Sequence, residues 1–156
     1  MVQTMSYGIT DICNGCGACS KLCPVGAIQG NKGETHVINA VICIECGACG
    51  RICPVEAVQD QTGAVCVRVK KSQWQKPRFD YKKCVSCTIC IDACPVRCLG
   101  VSWDSESKDS HGYPYMKNER ACIGCGFCAL ECPLEAITMH VPEETSSAVN
   151  QELIVT

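Results

Sequence analysis

Large apolar side chains are scarce in this chain. Two Phe, two Trp and four Tyr in 156 residues are too few for two halves of about 60–75 residues to close on hydrophobic cores of their own. No run approaches the roughly 18 apolar residues of a membrane-spanning helix, so no membrane span is expected. The opening stretch MVQTMSYGITDIC carries neither a basic region followed by an apolar run nor a twin-arginine pair. The expectation is a cytoplasmic protein with reduced thiols, which argues against a disulfide scaffold. Histidine is also sparse: His36, His111 and His140 stand far apart, without metal-ligand spacing. No nucleophile–base constellation stands out, and the short GxG runs lack the βαβ unit of a nucleotide site.

What the chain has in excess is cysteine, eighteen in all. Sixteen of them write one phrase four times, C-x2-C-x2-C-x3-C-P. The first copy is Cys13, Cys16, Cys19 and Cys23 with Pro24; the second is Cys43, Cys46, Cys49 and Cys53 with Pro54. The third is Cys84, Cys87, Cys90 and Cys94 with Pro95; the fourth is Cys122, Cys125, Cys128 and Cys132 with Pro133. Zinc sites use two C-x2-C pairs across a longer spacer. A third cysteine at the same short spacing suits three corners of an Fe4S4 cube instead, and the phrase is the bacterial ferredoxin signature. Gly15, Gly17, Gly47, Gly124 and Gly126 between the cysteines let the backbone approach sulfur. The proline turns the chain behind the fourth cysteine.

On these motifs the sequence resembles the bacterial two-cluster ferredoxin written twice in tandem, over about residues 1–60 and 78–140. The resemblance implies an α+β fold of small hairpins and short helices built around four [4Fe-4S] clusters. It also implies crossed ligation within each half, because the fourth cysteine of a motif serves the other cluster. Cluster one would take Cys13, Cys16, Cys19 and Cys53; cluster two, Cys43, Cys46, Cys49 and Cys23. Cluster three would take Cys84, Cys87, Cys90 and Cys132; cluster four, Cys122, Cys125, Cys128 and Cys94. The other pairing, first motif with fourth and second with third, occurs in subunits with longer inserts and less regular motifs. Short connections here favour sequential pairing.

The expected organisation is a first two-cluster domain at 1–63, a basic linker at 64–77, a second two-cluster domain at 78–140 and a tail at 141–156. Strands are expected near 2–7, 27–29, 36–38 and 57–59, with GNKGE as a turn, and near 78–81, 99–103, 113–117 and 136–140, with DSESKDSHG as a polar loop. Helices are expected at 18–22, 48–52, 89–93 and 127–131, too short to stand alone, so that metal binding would hold the fold. AVCVRV in the linker alternates like a strand, with Val65, Val67 and Val69 on one face and Cys66, Arg68 and Lys70 on the other. Cys66 reads as a strand residue and Cys98 as packing, since Ala27, Ala57 and Ala136 occupy its place in the other motifs. The tail ends in an apolar stretch that would suit a frayed end or an arm on a partner.

The formal charge is −2. Four clusters at −2 each would bring it to about −10, which makes nucleic acid an unsuitable partner. Against this, Arg68, Lys70, Lys71, Lys76, Arg78, Lys82 and Lys83 are opposed within their segment only by Asp80. That segment reads as a solvated face or as a docking patch for an acidic partner. Ser86 and Thr88 replace glycine in the third loop, near Lys82, Lys83 and Arg97, whereas Glu45 sits in the second. Clusters three and two are therefore expected at opposite ends of the potential range.

Complete protein ligation leaves no open position for catalysis, so the expected role is one-electron transfer and not an enzyme activity. A fixed electron-transfer subunit linking a catalytic oxidoreductase subunit to a second redox subunit or carrier is the first reading, with self-association a further possibility. A freely diffusing polyferredoxin is the second. A sensor of oxygen or iron is the third, and four repeated motifs argue against it. Size and motif regularity resemble the small subunit of tungsten aldehyde oxidoreductases that carry a flavin subunit. They are similar, too, to subunits of hydrogenases, formate dehydrogenases and benzoyl-CoA reductase systems.

Overall fold

Hydrophobic burial is as thin as the composition requires. In the computed structural model, which describes residues 6–103 and 111–142, the large apolar side chains buried among them are only Ile28, Val58, Trp74, Leu99, Ile123 and Ile137. Cysteine fills the space. Cys90, Cys94, Cys98, Cys122 and Cys128 pack with Leu99 and Ile137 in the second half, and Cys53 with Ala57 and Val58 in the first.

The chain folds as short helices between two-stranded antiparallel hairpins, an α+β arrangement. In the first half β1 (Gly8–Ile9) pairs with β4 (Val58–Gln59), and β2 (Ile28–Gln29) with β3 (Val37–Ile38). In the second, β5 (Lys76–Phe79) pairs with β8 (Ile137–His140), and β6 (Leu99–Trp103) with β7 (Gly112–Met116). The helices α1 (Ala18–Leu22), α2 (Ala48–Ile52), α3 (Ile89–Asp92) and α4 (Phe127–Leu130) are single turns. None could persist alone, and each is anchored by the cysteines it carries. The expected elements are found within a few residues of their places. The expectation for 2–5, the DSESKDSHG loop up to residue 110 and the tail from 143 lie outside the described residues.

The linker departs from expectation. AVCVRV forms no strand: only Val65 makes an isolated bridge, to Gln59. Val65 and Val67 are exposed, and Cys66 is the residue that dips inward, where its side chain leaves no room for a Cβ on Gly50. Cys66 N–H donates to Val58 O at 2.8 Å and Val69 N–H to Arg51 O at 2.9 Å. The segment thus follows the edge of the first half, touching it at intervals instead of building a ladder. A 3-10 turn at Lys71–Gln73 follows, and the chain enters β5 at Lys76.

This path seats Trp74 between the halves. Trp74 is buried with Ala48 and Ile123, and Leu22, Ile52, Val69 and Val96 pack around them. Its indole N–H donates to Val69 O at 2.9 Å, which satisfies the polar edge of a buried ring. The Arg51 guanidinium lies 5.5 Å from the ring centroid, within cation–π range. Among the described residues no helix is long and apolar enough to cross a membrane.

Candidate metal centres

Each motif folds by one local recipe. The residue before each helix is left-handed: Gly17 at φ 72°, Gly47 at 69°, Thr88 at 61° and Gly126 at 80°. This reversal turns the loop onto the helix and places the third cysteine in its first turn. Two of these loops adopt the conformation at a cost, because Thr88, and also Ser86 at φ 59° and Glu45 at φ 56°, carry a Cβ. Gly15 has no such choice. A Cβ there would stand 2.4–2.6 Å from the backbone of Gly33 and Glu34, where the β2–β3 turn binds the first loop through Gly33 N–H to Gly15 O at 3.0 Å.

The fourth cysteine is fixed by a bond that recurs four times. The backbone N–H four residues on donates to its sulfur: Ala27 to Cys23, Ala57 to Cys53 and Ala136 to Cys132 at 3.3 Å, and Cys98 to Cys94 at 3.4 Å. The extended conformation of Cys23 and Cys53 turns them out of the helix. Each of these sulfurs then faces the loop of the neighbouring motif.

Four hollows result. The first is lined by Cys13, Cys16, Cys19 and Cys53; the second by Cys43, Cys46, Cys49 and Cys23. The third is lined by Cys84, Cys87, Cys90 and Cys132; the fourth by Cys122, Cys125, Cys128 and Cys94, with Cys98 beside them. The structure therefore brings together motifs one and two, and motifs three and four. Each hollow opens to solvent through its mouth and presents its four sulfurs to one shared space. Apolar residues complete the walls, such as Val25, Ile28 and Ile44 in the second and Phe79, Leu134 and Ile137 in the third. Four soft sulfur donors from two C-x2-C-x2-C-x3-C motifs, set among apolar walls, fit a [4Fe-4S] cluster.

Burial holds several thiols in their neutral form. Cys49 and Cys128 are pushed up to about 12 and Cys90 to about 11, chiefly by desolvation, with the neighbouring cysteines adding to it. A cation must displace these protons to be ligated, so metal loading and proton release are coupled. Cys122 is the exception, held below the usual thiol range chiefly by the neighbouring Cys98 thiol.

Several functional residues escaped the sequence. Cys98 is buried packing, as expected, and its Sγ also lies 3.4 Å from Cys94 Sγ. The alanine at the matching position of the other motifs is the signal that hid this contact. His36 is buried, lines the first hollow, and its Nδ1 donates to Glu34 O at 3.0 Å. Arg51 and Lys76 act on loop carbonyls. Arg51 Nη2 donates to Cys46 O at 3.0 Å and Ile123 O at 2.8 Å, and Lys76 Nζ to Glu119 O and Cys122 O at 3.0 Å.

Comparison with known proteins agrees with this chemistry. A family described as "4Fe-4S dicluster domain" matches residues 12–58, and another of the same description matches 42–98. A "4Fe-4S binding domain" matches 115–138. The first match spans motifs one and two, as the hollows do, whereas the second spans motifs two and three. The chain is 39% identical over 73 residues to pyruvate synthase subunit PorD of Methanothermobacter marburgensis, covering 46% of this chain and 75% of that protein. It is 38% identical over 58 residues to the delta subunit of the NADH-dependent phenylglyoxylate dehydrogenase of Aromatoleum evansii, covering 37% of this chain and 53% of that one. A chain of the formate dehydrogenase–heterodisulfide reductase–formylmethanofuran dehydrogenase complex of Methanospirillum hungatei is 25% identical with a TM-score of 0.34, covering 84% of this chain and 53% of that chain.

Proposed function

This chain belongs to the 4Fe-4S dicluster ferredoxin family, and on that premise we propose that it is the electron-transfer subunit of a larger oxidoreductase, with no catalysis of its own. The observation that carries the reading is the set of four hollows, each lined by four cysteines drawn from two motifs. We assign a [4Fe-4S] cluster to each, with the crossed ligand sets given above. The two-cluster domains are then 1–63 and 78–140, joined by 64–77, with the tail at 141–156. When bound, each cluster supplies one-electron storage at low potential. The chain's own part is to hold the sulfurs, exclude water from them with apolar walls, and aim N–H groups at the fourth cysteine of each motif.

For the catalytic partner we propose a tungsten-type aldehyde oxidoreductase with a flavin subunit, on the size of the chain and the regularity of its motifs. The names of the relatives favour a second reading, since pyruvate and phenylglyoxylate are both 2-oxo acids and their enzymes contain related subunits. Reduced thiols fit the cytoplasm. The test is native mass spectrometry of the protein purified without oxygen from its own host, with metal analysis. A large assembly containing tungsten supports the first reading, and an assembly without tungsten that oxidises a 2-oxo acid supports the second. A lone chain with four clusters makes it a diffusing carrier and overturns the subunit role. Fewer than sixteen irons overturns the four-cluster assignment.

A further inference from the structure

The repeat provides its own control for which parts of the chain face solvent. The second cysteine of every motif stands at the tip of its loop, yet the four differ. Cys16 and Cys87 are exposed, whereas Cys46 and Cys125 are half-buried. Both covered cysteines pack on the joint between the halves, against Ala48, Trp74 and Ile123. Arg51 ties the same two loops together: one guanidinium nitrogen donates to Cys46 O in the second motif and to Ile123 O in the fourth. Lys76, the first residue of β5, holds the start of the fourth motif through the Cys122 carbonyl.

From this we infer that the chain arranges its cysteine sets in the spatial order one, two, four, three, with the second and fourth facing across the joint and the first and third at the two ends. The order differs from that of the sequence, because the halves meet through their second motifs. Arg51 is the positioning residue of this joint. One terminal nitrogen serves both carbonyls while the guanidinium lies over the Trp74 ring. A redox partner then meets ligand cysteines at the Cys16 end or the Cys87 end, and the middle sets are shielded by the joint. The inference rests on the four-cluster reading.

The test uses the full-length reconstituted protein, reduced and examined by electron paramagnetic resonance. Cys13→Ser, Cys43→Ser, Cys84→Ser and Cys122→Ser each perturb one set. With the second or fourth set lost, an outer cluster has no neighbour, and a magnetically uncoupled signal is expected. Loss of the first or third leaves three adjacent clusters and no uncoupled signal. The reverse pattern overturns the order. Because a lost ligand can unfold its half, the unmodified holoprotein provides a second measurement. A soluble lanthanide chelate should broaden the shifted β-proton resonances of Cys16 and Cys87 several-fold more than those of Cys46 and Cys125. Equal broadening overturns the inference. An iron count below sixteen in the unmodified protein removes the cluster reading beneath it, whereas sixteen irons with either contrary pattern removes the order alone.

Discussion

Cys98 sets the tone at the scale of single residues. Outside all four motifs, it is buried beside Cys94 of the fourth set, 3.4 Å from sulfur to sulfur, and its thiol can donate to that sulfur once Cys94 is a metal-bound thiolate. Hydrogen bonds to ligand sulfur stabilise the reduced, more negative cluster. Cys98→Ala should therefore lower the midpoint of one centre out of four by about 40 mV, the one-electron equivalent of a hydrogen bond worth about 1 kcal/mol. Cys98→Ser, which keeps a donor, should recover most of the shift. A redox titration at unchanged iron content reads both. Backbone conformation gives a second prediction. Ser86 is left-handed with a Cβ, so Ser86→Gly should stabilise the third loop by about 1 kcal/mol. Gly15→Ala should abolish loading of the first set, because its Cβ meets backbone and not a movable side chain; iron content measures this. The sixteen motif cysteines were legible because their spacing is periodic. The roles of His36 and Arg51 were not, because burial beside the first hollow and a bond to Ile123 both depend on parts of the chain distant in sequence, and the contact of Cys98 with Cys94 was masked by alanine at the matching positions.

At the scale of elements, the helices were legible from the motifs that contain them and the hairpins from the turn residues between. The linker misled because alternation describes a strand only where a partner edge lies beside it, and here the segment meets the first half at separate points. What its composition did not disclose is the seat of Trp74. Trp74→Ala empties the joint and should cost about 3–5 kcal/mol, seen as iron release at lower denaturant concentration. The cluster loops carry a further prediction. Glu45 lies in the second loop and accepts from Gln61 Nε2 at 3.1 Å, whereas exposed Lys82 and Lys83 precede the third. A titration should resolve the second and third centres at the low and high extremes, and Glu45→Gln should raise the lowest midpoint. Four coincident potentials would sink this assignment.

The whole molecule leans on its metal. With so little apolar burial, stripping iron with a chelator should unfold both halves, followed by loss of circular dichroism and of protection from proteolysis. Association with a redox partner through the exposed Arg68, Lys70, Arg78, Lys82 and Lys83 should slow as ionic strength rises, because steering by surface charge is screened beyond about 8 Å at physiological salt.

The interleaving of motifs also has a consequence in time. A chain grows from its N-terminus. The first hollow waits for Cys53, long after Cys13, Cys16 and Cys19 have emerged, and the second for Cys49, long after Cys23. The third and fourth hollows wait likewise for Cys132 and Cys128. Neither member of a pair can close early, and both become complete within four residues of synthesis. Newborn chains should therefore acquire iron in two bursts, one per half, and a ribosome stalled just after the second motif has left its exit tunnel should display a half that is already loaded.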